Sequence, residues 1–331
     1  MTSLRAAAAL FVFGYHASPP SPIDHVTQFG YTGVAFFFLL SGFVITWGNS
    51  GERGRRSFYV RRLARIYPSH FVTWTVALTA KYTVVALSVS GVVAPLFLVQ
   101  AWFPTERVIF GANGVSWSLS CEIAFYAAVP FVLPRLRVLD SVLRWRIGVG
   151  YATLAAALVI IGTRVEGWHI VAYTNPALRF GEFLLGCVAA IALSEGWRLQ
   201  WRLAGALLLL GAALLVVGPR ALPGPDVAAT AIYFVVVVMA AQRDLDQPTG
   251  WLTMRPFVYA GQLSFAFYLV HQLVGLNVFL GWASLRGVTR ILVQFVIAVV
   301  AAAVLHHLIE RPCERWIRTR FADRTPLPVD T

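Results

Sequence analysis

Charge is what this sequence has least of. Only 13% of its 331 residues are charged, while 58% are hydrophobic. A soluble domain carries roughly 25% charged residues, and a water-facing surface needs that charge. The shortage excludes a soluble globular enzyme, and the apolar excess excludes a disordered chain. Lysine is almost missing: Lys81 stands alone beside 26 arginines. Cysteine is scarce as well. Cys121, Cys187 and Cys313 lie far apart, which excludes a disulfide scaffold, and they form neither a CxxC pair nor a zinc spacing. They read as small packing residues. The sequence shows no internal repeat, no low-complexity tract and no long polar stretch. One membrane domain over residues 1–322 is therefore expected, with a disordered cytoplasmic tail over 323–331.

What is present is apolar length. Mean hydropathy is +0.69. A bilayer-crossing helix needs roughly 20 mostly apolar residues. Ten such segments can be laid out, near 3–18, 28–47, 66–88, 114–134, 147–163, 175–194, 203–219, 227–242, 257–280 and 288–310. The expected fold is thus all-α, a polytopic membrane bundle of about ten transmembrane helices. The stretch 91–103 is apolar but short and contains Pro95, so it reads as a re-entrant or interfacial segment. The first segment has Arg5 followed by an apolar run, like a signal peptide. Tyr15, three residues before a cut after Ala17, is too large for a good cleavage site, so a retained helix is expected.

Arginine gives the orientation. The net charge is +12. On a soluble protein that would suggest nucleic acid; here no nucleic-acid partner is expected, because arginine crowds into cytoplasmic loops. With both termini cytoplasmic, 20 arginines fall inside and five outside: Arg107, Arg164, Arg220, Arg286 and Arg290. Arg179 stays within a span. Making 91–103 a span would invert every later loop.

Ionisable groups inside spans are costly and are functional suspects. Arg5 and His16 are eleven residues apart. At about 100° per residue they share one helix face, separated by about 16 Å of rise. The blander alternative is a snorkelling Arg and an interfacial His. In GVSWSLSCEIAFYAAVPF, Glu122 needs a partner; a structural ion pair and a catalytic role are both open. Trp117 and Tyr126 nearby look like packing or belt aromatics. An inner loop, RGRRSFYVRRLARIYP, carries Arg61, Arg62 and Arg65, with Arg61 and Arg65 on one face. It serves either topology and anionic lipid or a phosphate clamp. Arg179 and Glu182, at i and i+3, read as an internal ion pair. His271 lies in the ninth span. His306, His307 and Glu310 lie before Pro312, where the last span is expected to end. His306 and His307 point about 100° apart, so no metal site is expected there.

Seven pieces in order resemble one family. They are LRAAAALFVFGYHA with its Arg5 and His16, VAFFFLLSGFVIT, RRLARIYP, the Trp-Ser-Leu-Ser-x-Glu segment ending at Glu122, PALRFGEFLLG, LSFAFYLVHQ and LIERP. Together they resemble the integral-membrane acyltransferase-three family, the bacterial O-acyltransferases of cell-surface sugars and some antibiotics. The chain departs from it in having only Met1, Thr2 and Ser3 before Leu4 and in carrying Cys121. No second, periplasmic domain of the kind some relatives carry follows the last span here. The resemblance implies an acyl-CoA donor, acetyl-CoA by expectation, on the cytoplasmic side of a bacterial inner (plasma) membrane. It implies a hydroxyl acceptor on a carbohydrate or a glycosylated, macrolide-type small molecule, with membrane lipid around it. Arg61, Arg62 and Arg65 would hold the CoA phosphates, with Arg5 near the mouth, and the arm would run up to His16. His16 would be the general base: a ring kept from water stays neutral and accepts a proton. Glu122 would orient it. A covalent acyl-enzyme on Cys121 or His16 is the alternative mechanism. A transporter or flippase for a surface-saccharide precursor, without chemistry, is the alternative function.

Overall fold

The computed structural model describes residues 1–48, 54–82, 88–165, 167–221, 225–247, 250, 253–275, 285 and 287–322. Among them there is helix and turn and no strand. In chain order the helices are α1 (Thr2–Ala17), α2 (Asp24–Thr27), α3 (Gly33–Trp47), α4 (Arg55–Tyr82), α5 (Val89–Leu96), α6 (Glu106–Ile109), α7 (Trp117–Val138) and α8 (Ser141–Thr163). They continue as α9 (His169–Thr174), α10 (Pro176–Ser194), α11 (Trp201–Ala221), α12 (Pro225–Asp246), α13 (Arg255–Gly275), α14 (Gly287–Leu305) and α15 (Arg311–Phe321). An apolar segment of about 20 residues satisfies every backbone group within itself only as a helix, which is why such segments cross lipid in that form.

All ten expected segments are helical where described; 83–87 and 276–280 lie outside the described residues, as does the tail 323–331. Among the described residues, seven helices are long and apolar enough to cross a membrane. The chain is thus an all-helical, multi-pass membrane protein. Two of the other segments fall short for visible reasons: helix α1 has 16 residues, and α4 opens on arginines.

Local signals fix several helix starts. Asp140 Oδ1 accepts from the Leu143 N–H at 2.9 Å and caps α8. Asn175 Oδ1 accepts from the Ala177 N–H at 2.9 Å, and Pro176 occupies the first turn of α10, where its missing N–H costs nothing.

One expectation changes. The arginine-rich segment is the first half of α4 rather than a loop, and the helix runs on through Pro68. Its inward residues Phe58, Ala64 and Ile66 are buried, so packing holds the turn that proline weakens. At the other end, the apolar helix closes before Pro312 as expected, but the chain stays helical beyond it. A π-helical turn over His306–Glu310 follows α14, and α15 restarts with Pro312 in its first turn. The wider turn absorbs the hydrogen bond that Pro312 cannot donate. Helix α15 then packs on α4. The 91–103 stretch is indeed no span. It folds as the short α5 and a turn at Gln100–Trp102, pinned to α4. His70 Nε2 donates to the Pro95 carbonyl at 2.9 Å, and Trp74 Nε1 donates to the Val92 carbonyl at 3.1 Å.

The centre of the bundle is the crossing of α3 and α10. It is close because both helices present glycine. A Cβ on Gly42 would sit 2.0 Å from the Phe183 carbonyl oxygen, and one on Gly186 would sit 2.0 Å from that of Leu39. Small residues let backbones approach in this way inside membranes. Phe38, Phe125 and Phe183 fill the space beside the crossing, with ring centroids 5.0–5.1 Å apart. Helix α1 lies along α13, and α13 along α14. This frame sets Arg5 and His16 against the residues they work with.

Candidate active site

Helix α1 carries Arg5 near its start and His16 in its last turn, as the spacing predicts. His16 lines a cavity of about 550 Å³. The cavity is lined by Tyr15, Tyr31, Phe110, Trp117, Tyr173 and Tyr268, with Asp226, His169 and Gln272 as polar members. The Val12 carbonyl lies 3.0 Å from His16 Nδ1. A carbonyl only accepts, so Nδ1 carries the hydrogen and Nε2 keeps its lone pair. His16 Nδ1 also lies 3.2 Å from His271 Nε2 on α13.

The arginines gather elsewhere along the same helix. Arg5, Arg62 and Arg65 line a small cavity of about 50 Å³ with Glu122, Tyr126, Ser41 and Phe265. The Nε atoms of Arg5 and Arg62 are buried and have no hydrogen-bond acceptor among the described residues. An orphaned buried donor is costly, and two arginines that carry one both line this cavity, which suits an anionic ligand. Arg62 also lies over the Phe58 ring at 5.6 Å and the Tyr126 ring at 5.9 Å. Arg62 and Arg65 share a face of α4 at i and i+3. Arg61, expected on that clamp with Arg65, points away: it donates to Ser57 and does not line the cavity.

Glu122 joins the arginines and not His16. Its Oε2 accepts from Tyr126 Oη at 3.2 Å, and the charges of Arg5, Arg65 and Arg62 act on it. Tyr126 is a buried core residue, as a packing aromatic is expected to be, and it also lines the arginine cavity. The reason is register. One turn of α7 points Glu122 toward α4 and α1, while Trp117, five residues earlier, faces the His16 cavity. The two cavities share no lining residue. Between them Phe37, from the small one, meets Tyr268, from the large one, with ring centroids 5.8 Å apart.

A second ionic cluster borders the His16 cavity. Arg179 Nη2 pairs with Glu182 Oε1 at 3.1 Å, the expected internal ion pair. Its Nη1 also pairs with Asp226 Oδ2 at 3.0 Å. Asp226 gave no signal in the sequence, since it lies at the start of α12, 47 residues from Arg179. It lines both the His16 cavity and a neighbouring apolar cleft of about 620 Å³ between α8, α10, α11 and α12. Cys121 is fully buried, donates to the Thr174 carbonyl at 3.3 Å and lines neither the His16 cavity nor the arginine pocket.

Comparison with known proteins bears on this geometry. The sequence profile of the family described as "Acyltransferase domain" matches residues 1–308. The chain is 33% identical to "Acyltransferase MdmB" of Streptomyces mycarofaciens, over 97% of this chain and 92% of that protein. It is 29% identical to "Nodulation protein 10" of Rhizobium leguminosarum bv. viciae, over 47% of this chain and 44% of that one. It is 28% identical to "Putative O-acetyltransferase SACOL0978" of Staphylococcus aureus strain COL, over 57% of this chain and 34% of that one. No solved structure matches. A profile match over most of the chain and a relative 33% identical over nearly all of it place the chain in this acyltransferase family, as an enzyme that transfers acyl groups.

Proposed function

We propose that this enzyme moves an acetyl group from cytoplasmic acetyl-CoA to a hydroxyl of a carbohydrate or glycosylated small molecule. The observation that carries this is the pairing on one helix. Arg5 stands in an arginine pocket with two orphaned donors, and His16, about 16 Å further on, lines a cavity and keeps its Nε2 lone pair. The donor has matching parts, a phosphate-bearing head and a long arm ending in a thioester. Arg62 and Arg65 hold the phosphates and Glu122 keeps the arginine cluster in place. The arm reaches His16 by parting Phe37 from Tyr268.

The step balances as follows. His16 Nε2 takes the proton of the acceptor hydroxyl as its oxygen attacks the thioester carbonyl. The tetrahedral adduct collapses, the C–S bond breaks, and the leaving thiolate takes the proton back from the imidazolium. An ester and free CoA result. No covalent enzyme intermediate is needed, because the thioester is already activated, and Cys121 has no access to either cavity.

The acceptor class draws on the lining of the His16 cavity. Aromatic faces beside a carboxylate and an amide suit the apolar faces and hydroxyls of a sugar. Acetyl as the acyl group draws on the O-acetyltransferase label of the Staphylococcus aureus relatives. Ten spans and cytoplasmic termini, from the arginine distribution, and a bacterial plasma membrane, from the bacterial source of the relatives, complete the reading.

The test is direct. Purified protein in lipid is given acetyl-CoA labelled in the acetyl group and a panel of alkyl glycosides. Label should pass to a glycoside in the wild type. A wild type that consumes no thioester with any acceptor overturns the proposal.

A further inference from the structure

We propose that His271 is the positioning residue of His16: it accepts the hydrogen on His16 Nδ1, fixes the plane of the ring and steadies the positive charge that the ring gains during transfer. This rests on His16 as the base. The hydrogen-bond directions follow from what carbonyls can do. His271 Nδ1 lies 2.7 Å from the Tyr268 carbonyl and 3.3 Å from that of Phe267. Both oxygens only accept, so His271 Nδ1 bears the hydrogen. A neutral imidazole has one N–H, so His271 Nε2 is a bare lone pair. That lone pair is 3.2 Å from His16 Nδ1, which is itself an N–H because it also meets the Val12 carbonyl. The direction is therefore set: His16 donates and His271 accepts.

Val12 sits one turn back on the same helix and leaves the ring able to swing about that contact. An acceptor on α13 removes the swing. His271 can serve because it cannot move. It is 2% exposed, its ring stacks on Phe267 at 6.0 Å, and the edge of Phe13 meets it at 6.3 Å. The rings of His16 and His271 themselves meet at 5.0 Å. His271 lines neither cavity, so it acts through His16 and not on substrate.

When His16 takes the hydroxyl proton, its Nδ1–H becomes the donor of a charged ring. Hydrogen bonds with a charged donor are roughly twice as strong as neutral ones. His271 thus favours the state formed during transfer over the resting state, which is how a partner raises kcat without tightening binding. Its neutrality also matters. A carboxylate in its place would hold the imidazolium as an ion pair and oppose return of the proton to the leaving thiolate.

Two variants separate positioning from packing. His271→Leu keeps volume and loses the acceptor. His271→Gln keeps an acceptor oxygen near the Nε2 position. With labelled acetyl-CoA and the alkyl glycoside panel, His271→Leu should lower kcat about 10- to 100-fold, the range expected for a lost hydrogen bond to a charged group. The KM for acetyl-CoA should stay within twofold, and His271→Gln should recover most of the loss. Nitrogen-15 magnetic resonance of histidine-labelled protein in lipid should show His16 protonated at Nδ1 alone, and His271→Leu should shift that signal. Equal loss in both variants, or a raised KM with unchanged kcat, overturns the role of His271. So does a wild-type spectrum with His16 protonated at Nε2. An inactive wild type instead overturns the acyl-transfer reading, while the spectrum still tests the hydrogen bond.

Discussion

Arg62 and Arg61 are neighbours with opposite surroundings, and that difference can be measured. Arg62 lines the small cavity and has a buried, unpartnered Nε, whereas Arg61 turns back to Ser57 on its own helix. Arg62→Ala should raise the KM for acetyl-CoA at least tenfold, and Arg61→Ala should raise it less. Steady-state kinetics on both variants checks the order, and a larger effect at Arg61 would contradict it. Glu122 makes a similar case. It sits among Arg5, Arg62 and Arg65 and away from His16. Glu122→Gln should therefore act mainly on the donor KM, with a smaller change in kcat, and the two constants measured together decide this. A carboxylate orienting His16 would show the reverse. The sequence made Arg5 and His16 readable as a pair because one helix holds both, and helical geometry is local. It could not give the partner of Glu122 or of His16. Those contacts join α7 to α1 and α4, and α13 to α1, and no spacing along the chain encodes them.

Among the elements, the crossing of α3 and α10 sets the frame. Gly42 and Gly186 each admit the other helix's carbonyl where a methyl group would overlap it. Gly186→Ala should destabilise the bundle by about 1–3 kcal/mol, the usual cost of overpacking. A thermal melt in detergent should show a lower midpoint and a smaller monodisperse peak. An unchanged melt would mean that the helices can part at little cost. The helical segments could be placed from apolar length, because a backbone in lipid must satisfy its own hydrogen bonds, and seven among the described residues are long and apolar enough to span. Their ends were less legible. Proline marks a probable boundary, yet α4 runs through Pro68 and the chain continues past Pro312. In both places packing between helices outweighs the local signal, on Phe58 and Ile66 in one and on α15 against α4 in the other.

For the whole molecule, charge and shape give one direction to the reaction. Arginine-rich α4 and α15 pack together, and Arg5 and Glu310 come close enough for their charges to interact. The His16 cavity lies at the opposite end of α1. In the proposed layout of ten spans with both termini cytoplasmic, the arginine end lies inside and the His16 cavity lies toward the far side of the membrane. A fluorescent protein fused after residue 331 should glow, and alkaline phosphatase fused there should stay inactive. Active phosphatase would reverse the orientation and the placement of the donor.

One pair of numbers bears hardest on all of this: the transfer rate and the acetyl-CoA affinity of His16→Ala, taken on the same preparation in lipid. Transfer should fall by about 10²- to 10⁴-fold, the usual contribution of a general base. The dissociation constant for acetyl-CoA should stay within about threefold, because the arginine pocket is intact. Transfer at the wild-type rate, or lost transfer together with lost donor binding, would show that His16 is not the base.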